Sequence, residues 1–305
     1  MNHDPRVAAS NVDSTDGGPA ALTAVGRTFN AIPPTALVLL GIVSVQLGSA
    51  VAKNLFSAVG SFGTVALRLF FAAAVLMLLW RPTFRLDRRT WTVVLSYGVT
   101  LGLMNLCFYL ALERIPLGIA VTIEFLGPLA VALAGSRRLL DVLWAVLAAG
   151  GVVLLLEGRG DLDLVGFLFA LAAGVCWGLY ILVGAALGRH TTEGNGLALG
   201  MVVAALMAVP FGVADSGAAL IQPWVLIAGL GVALLSSVVP YSLDLEALRR
   251  MPPRVFGILM SLEPAMAALI GLIVLQELLA WSQWIAVLCV VAASAGATRG
   301  SRTDV

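Results

Sequence analysis

The sequence predicts an all-α integral membrane protein of ten transmembrane helices, built as two inverted five-helix repeats with both termini in the cytoplasm. Three observations support this fold class. Of the 305 residues, 60% are apolar and 11% are charged, and the mean hydropathy of +1.00 is far above that of soluble globular domains. The apolar residues fall into ten helix-length runs, and a segment of the first half of the chain recurs in the second half.

Each of the ten runs is long enough to cross about 30 Å of hydrocarbon, which takes roughly 17 to 25 helical residues. The predicted spans are 32–52, 62–80, 91–112, 115–134, 139–156, 164–187, 197–214, 224–247, 254–275 and 281–298. Short connections that carry turn residues, such as "RPTFRLDRR" and "RRMPPR", separate them. The polar, turn-rich segment 1–31 predicts a disordered cytoplasmic tail, and residues 299–305 predict a second cytoplasmic tail.

The distribution of basic residues predicts the orientation, because cytoplasmic loops carry an excess of lysine and arginine. With the N-terminus inside, fourteen arginines lie on the cytoplasmic side, and only Lys53, Arg114 and Arg159 lie on the other side. The last basic residue, Arg68, falls within a span. This bias favours ten spans with both termini inside.

The chain also repeats itself. The segment "LERIPLGIAVTIEFLGPLAVALAG", from Leu112, matches "LRRMPPRVFGILMSLEPAMAALIG", from Leu248, at a constant offset of 136 residues. We therefore expect residues 32–156 and 164–298 to form the same five-helix unit. Because five is odd, the two copies must cross the membrane in opposite directions, which is a common architecture of secondary transporters.

Two carboxyl groups, Glu124 and Glu263, fall near the middle of their spans. An ionised carboxylate at that depth costs roughly 2.5 to 3.5 kcal/mol on insertion scales, so each must be neutral, paired or next to a wet cavity. Pro128 and Pro264 interrupt the same two helices and free backbone carbonyls, which also favours a polar cavity. Proton-coupling carboxyls are the first interpretation; packing kinks with buried hydrogen-bonding glutamates are the alternative.

Polar residues with helical spacing on four other spans indicate the wall of a substrate-binding pocket. The candidate residues are Gln46, Ser49, Asn105, Tyr109, Trp177, Tyr180, Tyr241 and Asp244. Arg68 joins them, and we expect it to pair with Glu124, Glu263 or a substrate carboxylate. For Trp177 simple packing is an equal alternative, and Lys53 and Asp244 lie near span ends, where they can also reach the membrane interface.

Several segments resemble the EamA family of the drug/metabolite transporter superfamily, above all "SLEPAMAALIGLIVLQE". The segments "SVQLGSAVAKNLF", "ALRLFFA", "PLGIAVTIEFLGPLAVAL", "VCWGLYIL" and "VPYSLDLEALRRMP" are similar to threonine and homoserine exporters of that family, so the resemblance extends from residue 35 to 298. It implies ten helices in two inverted repeats, a bacterial inner-membrane location and proton-driven efflux of small amino acids through a central cavity.

We therefore predict an antiporter that exchanges a zwitterionic amino acid for a proton. Arg68 is the candidate for the substrate carboxylate, because its planar fork suits bidentate pairing. The candidates for binding the ammonium and a side-chain hydroxyl of the substrate are Asp244, Asn105, Tyr109 and Tyr241. Glu263, with Glu124 second, is the candidate carrier of the coupling proton, the only coupling ion or cofactor expected.

The sequence excludes or disfavours several other functions. Only two histidines occur, both outside the apolar runs, and the three cysteines lack metal-ligand spacing, so no metal site and no hydrolytic enzyme is expected. Lys53 stands in "GSAVAKN", which lacks the nucleotide-binding P-loop pattern, and a net charge of +1 gives no field for nucleic acid. Two alternative functions stay open: export of another amino acid, a nucleobase or a cationic drug, and a passive channel. The sequence does not determine the oligomeric state, and a monomer is one option. The expected partners are the substrate and membrane lipid.

Overall fold

A computed structural model describes residues 32–134, 139–157, 163–191, 194–251 and 253–300 of the chain. The predicted tail 1–31 and most of the predicted tail 299–305 lie outside the described residues. Within the described ranges all regular secondary structure is helical. The prediction of an all-α protein is confirmed.

Twelve α-helices occur in the described ranges. They are α1 (Pro34–Trp80), α2 (Arg88–Leu112), α3 (Leu117–Glu124), α4 (Leu126–Ala134), α5 (Leu139–Glu157), α6 (Leu164–His190), α7 (Asn195–Ser216), α8 (Pro223–Ala233), α9 (Val239–Arg250), α10 (Pro253–Met260), α11 (Glu263–Val274) and α12 (Trp281–Gly300). A 3₁₀ turn (Gly217–Ile221) follows α7, and a π turn (Leu234–Val238) joins α8 to α9.

Seven helical segments of the described chain are long and apolar enough to cross a membrane, and two shorter apolar helices cover 117–131 and 142–154. Many large apolar side chains, among them Leu78, Leu206 and Ile227, are exposed on the helix surfaces. A surface of this kind suits contact with lipid and not with water. The chain is therefore a multi-pass membrane protein.

The first two predicted spans form one helix, α1, with a sharp kink. Val59 has φ −135° and ψ 16°, and Gly60 has φ 60° and ψ −178°, so the backbone leaves the helical region for two residues. A positive φ at Gly60 is tolerated because glycine has no Cβ. The sequence predicts a loop between residues 53 and 61, whereas the structure has helical residues up to the kink on both sides.

The helices of predicted spans 4 and 9 are both interrupted near their prolines. Helix α3 ends at Glu124 and α4 begins two residues later, with Pro128 in its first turn. Helix α10 ends at Met260, and α11 begins at Glu263 with Pro264 as its second residue. Each interruption lies next to one of the two membrane glutamates.

Aspartates cap two of the long helices. The Asp87 carboxylate accepts hydrogen bonds from the N–H groups of Arg89 and Thr90 at the start of α2. The Asp163 carboxylate accepts from the N–H of Gly166 at the start of α6. An aspartate in front of an apolar run satisfies the free N–H groups of the first turn, so these two residues mark where the helices begin.

The two halves of the chain pack against each other throughout. Helix α1 packs mainly on α7, α2 on α6, α5 on α12, and α3 on α11. At the crossing of α3 and α11 a Cβ on Gly118 would lie 2.6 Å from the Cα of Ala268, so the two backbones are in direct contact. Because helices from the two halves alternate in space, a central cavity is lined by both.

Candidate functional site

A cavity of about 400 Å³ lies between helices of both halves. Ten of the predicted coupling and substrate-binding residues line it: Gln46, Ser49, Arg68, Asn105, Glu124, Trp177, Tyr180, Tyr241, Asp244 and Glu263. These residues come from six helices and from positions up to 217 residues apart in the sequence. The folded chain therefore brings the predicted polar residues to one place.

Arg68 is buried, with 7% of its surface exposed, and is held by three hydrogen bonds. Its Nη1 donates to the Tyr109 hydroxyl at 3.3 Å, and the same guanidinium lies 5.5 Å from the centre of the tyrosine ring. The other two bonds go to the π turn, with Nε to Ser237 Oγ at 3.4 Å and Nη2 to the Ser236 carbonyl at 3.1 Å. Within the described residues no carboxylate lies within 4.0 Å of this guanidinium.

The π turn is the element that positions Arg68. A π turn widens the helix, and such turns are frequent at functional sites. Here the Leu235 carbonyl accepts from Ser44 Oγ at 2.8 Å, and the Ser236 carbonyl and Ser237 hydroxyl accept from Arg68. Both contacts join the second half of the chain to α1. The guanidinium is thus fixed by neutral oxygens, and no carboxylate of the described residues lies within 4.0 Å of it.

Glu124 and Glu263 lie at the two helix breaks, with 8% and 6% of their surfaces exposed. Their backbones belong to the equivalent helix pairs α3–α4 and α10–α11. Helix α6 approaches the first break closely, since a Cβ on Gly174 would lie 2.8 Å from the Glu124 carbonyl oxygen. Two buried carboxyls and one buried guanidinium therefore share a single cavity.

Three buried polar atoms around the cavity have no hydrogen-bond partner within the described chain. They are Gln46 Oε1, Asp244 Oδ1 and Ser236 Oγ. An unsatisfied buried polar atom costs about 1 to 3 kcal/mol, so such atoms are kept where a ligand or water pairs with them. Two of the three, the amide and carboxylate oxygens, can only accept hydrogen bonds or attract a cation.

Tyr180 forms another part of the wall and pairs with Tyr97 behind it. The Tyr97 hydroxyl donates to the Tyr180 hydroxyl at 2.8 Å, and the ring centres are 4.9 Å apart. Tyr180 and Tyr241 both line the cavity. Trp177 also lines it, where its ring contacts Phe125 edge-on at 5.5 Å between centres, so packing and cavity lining are combined in this residue.

Three of the predicted site residues do not line the cavity. Tyr109 is fully buried behind it and acts on it through the hydrogen bond from Arg68. Pro128 and Pro264 lie in the first turns of α4 and α11 and shape the two breaks. Lys53, on the same predicted stripe as Gln46 and Ser49, points elsewhere and pairs with Glu277 at 2.6 Å.

Sequence reasoning misses the apolar wall and the π turn. Five apolar residues also line the cavity: Met104, Phe108, Val121, Phe256 and Met260. In the sequence, each of them is an ordinary apolar residue of a membrane helix. The segment "LLSSV" likewise carries no signal that distinguishes a π turn from an α-helix. Only the pair of serines marks this stretch as polar.

Among the described residues, no group of three histidine, cysteine, aspartate or glutamate side chains is arranged to hold a metal ion. Cys107, Cys176 and Cys289 are free thiols and half-buried in helices. The chemistry available in the cavity is therefore that of one guanidinium, three carboxyls and several hydroxyl and amide groups, which suits binding of a small polar or zwitterionic molecule.

Comparison with known proteins identifies a transporter family and named relatives. Residues 164–299 match the EamA-like transporter family. The chain is 45% identical over 275 residues to the threonine/homoserine exporter RhtA of Escherichia coli K12, and 44% identical to the protein of the same name from Salmonella typhimurium LT2. In both cases the match covers 89% of this chain and 93% of the relative. These relatives are exporters, in line with the prediction of a transporter and not an enzyme.

The fold itself has a counterpart among solved structures. A crystal structure aligns with 87% of this chain and 96% of its own length, with a TM-score of 0.61 and 21% sequence identity. At that identity the likeness concerns the fold alone. It extends over both halves of the chain, whereas the family match is confined to the second half.

Proposed function

Because this chain belongs to the EamA-like transporter family, we propose that it is a secondary transporter that exports small amino acids, of the threonine and homoserine type, in exchange for protons. The observation that carries the proposal is the buried guanidinium of Arg68, which faces a cavity without a carboxylate partner among the described residues. A zwitterionic amino acid supplies that carboxylate.

The remaining polar groups suit the rest of such a substrate. Gln46 Oε1 and Asp244 Oδ1 are unpartnered acceptors within the described chain, and an ammonium group offers three donors. A side-chain hydroxyl of the substrate can hydrogen-bond to Tyr180, Tyr241 or the amide of Asn105, all of which line the cavity. The names of the relatives point to the same class of substrate, since threonine and homoserine both carry a hydroxyl.

Proton coupling is assigned to Glu263, with Glu124 second. Both carboxyls are buried in the cavity wall, where an ionised group without a partner is unfavourable. If one carboxyl binds either a proton or the substrate ammonium, the two compete for it. Export of the substrate is then linked to uptake of a proton without any further component.

The same proposal includes the topology. If the two arms of α1 count as separate spans and the two shorter apolar helices also cross the membrane, the seven long segments become ten spans. With the N-terminus inside, the arginine bias places the kink of α1 on the outer side of a bacterial inner membrane. The five-helix halves 32–156 and 164–298 then have opposite orientations.

The test is efflux of labelled threonine and homoserine from proteoliposomes under an imposed proton gradient. We expect gradient-driven efflux by the native chain and its loss in Glu263→Gln. Glu113→Gln is the matched control, because Glu113 is an exposed carboxyl that hydrogen-bonds Ser61 and does not line the cavity.

Three results would contradict parts of the proposal. Gradient-driven efflux by Glu263→Gln would remove the proton-carrying role and leave the packing interpretation of this glutamate. No efflux of either amino acid by folded protein would direct the search to other metabolites or drugs. Efflux by the native chain that does not respond to the proton gradient would indicate a passive channel.

A further inference from the structure

One end of the bundle holds a half-buried ion pair that has no role in the proposed transport mechanism. At the end that contains the α1 kink, which we call the kink end, Lys53 Nζ lies 2.6 Å from Glu277 Oε1 and donates to the Ile115 carbonyl at 3.0 Å. The other oxygen of Glu277, Oε2, accepts from the N–H of Leu117 at 2.7 Å. We call this set of four residues the latch.

The latch joins three separate parts of the chain. Lys53 belongs to the first arm of α1, Ile115 and Leu117 to the start of α3, and Glu277 to the connection between α11 and α12. Its two charged side chains are only 22% and 15% exposed, unlike the other ion pair near this end, Arg114 with Asp163, whose side chains are 43% and 37% exposed. A half-buried, charge-assisted contact of this kind is stronger than a surface pair.

The backbone is shaped to present Glu277. Gln276, the residue before it, has φ 56°, in the left-handed region that costs a non-glycine residue energy. The Glu277 N–H donates to the Gly271 carbonyl at 3.0 Å. A Cβ on Gly271 would lie 3.0 Å from Glu277 Oε2, so glycine leaves the carboxylate room to reach Leu117. Strain of this sort persists where the surrounding contacts hold it.

The latch lies directly beyond the cavity. Ser49 and Val121 line the cavity, and Lys53 and Leu117 are each one helical turn, about 5.4 Å, from them on the same helices. The alanines in between, Ala50 on α1 and Ala120 on α3, are fully buried, and both helices pack against α11. Buried residues therefore lie between the cavity and the latch at the kink end.

The opposite end is built differently. There the cavity extends to Gly41, Asp244 and Phe256, within about two helical turns of the ends of their helices. The repeat offset of 136 residues assigns Pro253 to the position of Leu117. Proline has no N–H, so the second copy cannot donate the bond that Glu277 accepts in the first. The bond from the Leu117 N–H therefore has no counterpart at the equivalent position of the second copy.

We propose that the latch formed by Lys53, Glu277, Ile115 and Leu117 is the closed gate at the kink end, and that it must open for the cavity to reach that side of the membrane. This inference rests on the proposed transport function, since a gate has a use only where a cavity opens to each side in turn. Breaking the ion pair then shifts the population towards the state that is open at the kink end.

The experiment measures access to the cavity and does not require transport. A single cysteine replaces Val45, an apolar lining residue to which no binding role is assigned, in a chain whose three native cysteines are changed to alanine. Its rate of labelling by a membrane-impermeant maleimide is measured in right-side-out and inside-out vesicles. The changes Glu277→Gln and Lys53→Met are tested singly and together, with Arg114→Gln as the matched control.

We expect either latch variant to raise labelling from the kink end about tenfold, the shift produced by loss of one charge-assisted hydrogen bond. The double variant should show no further rise, because both changes break the same contact. Arg114→Gln should label at the original rate. Faster labelling only in inside-out vesicles would support the role of the latch as a gate, but it would overturn the proposed orientation of the chain in the membrane.

The proposal is overturned if folded Glu277→Gln and Lys53→Met both label at the native rate from either side, or if Arg114→Gln is accelerated as much as they are. Folding is checked by the melting temperature of each purified variant. Because Lys53 and Glu277 are changed independently, the test still works if one of the two variants does not fold. Because the labelling needs no substrate, a failure of amino-acid export and a failure of the gate give different results.

Discussion

Replacing Arg68 by lysine keeps the positive charge in the cavity but removes the planar fork of N–H donors. Arginine has five N–H donors, and the structure uses three of them, towards Tyr109, Ser236 and Ser237. Two are left for a substrate carboxylate, which matches the two bonds of a bidentate pair. Lysine can supply one such bond, so Arg68→Lys is expected to remove one.

The expected loss follows from the strength of that bond. A hydrogen bond to a charged group contributes about 1.5 to 3 kcal/mol. With tenfold in affinity for each 1.4 kcal/mol, the dissociation constant of threonine should rise roughly 10- to 150-fold in Arg68→Lys. Arg114→Lys is the control, since Arg114 is exposed and its pair with Asp163 lies outside the cavity.

The assay is equilibrium binding of labelled threonine to purified protein in nanodiscs, repeated with threoninamide, which lacks the carboxylate. If Arg68 binds the carboxylate, the native chain should prefer threonine, and Arg68→Lys should lose affinity for threonine but little for threoninamide. Equal losses for the two ligands would mean that the substitution disturbs the cavity generally. No loss for threonine, in protein of native melting temperature, would refute the assignment.

Two further predictions concern stability. Gly118→Ala should destabilise the protein by about 1 to 3 kcal/mol, because the new methyl group would lie 2.6 Å from the Cα of Ala268. Gly150→Ala is the control and should be neutral or slightly stabilising, because a Cβ there has no atom within 4 Å. The free energies of unfolding of the two variants in detergent are compared with that of the native chain. The N–H of Gly166 holds the pKa of the Asp163 carboxyl below its usual value, so this carboxylate stabilises the fold above the usual carboxyl pKa. The difference in melting temperature between the native chain and Asp163→Ala should therefore be largest near neutral pH and shrink as the pH falls through the lowered pKa; a difference independent of pH would contradict this.

The sequence predicts site residues best where the hydrocarbon makes a charged side chain energetically costly. Glu124, Glu263 and Arg68 stand out because charge at membrane depth requires a special environment. Ten of the eleven residues predicted for coupling and binding line one cavity, although their roles stay predictions. Helix breaks at the two prolines follow from the missing N–H of proline.

What the sequence does not reveal depends on contacts between distant residues. Lys53 and Glu277 are 224 positions apart, and nothing local distinguishes Glu277 from a charge at the end of a span. The π turn at Leu234–Val238 accepts hydrogen bonds from Ser44 and Arg68, both on α1. Such features require the three-dimensional arrangement of helices before any chemistry can be assigned to them.

If the chain is an exchanger, as we propose, the charges of the cavity explain how exchange works without further groups. Arg68 is buried beside neutral oxygens, so an ionised carboxyl in the same wall stabilises its charge. A zwitterion brings a carboxylate for Arg68 and an ammonium for that carboxyl, which keeps the cavity neutral while each charge gains a direct partner. When the substrate leaves, a proton can take the place of the ammonium on the carboxyl. If Glu263 is the group that alternates in this way, substrate and proton exclude each other at one site, and their opposite movement follows from that competition alone.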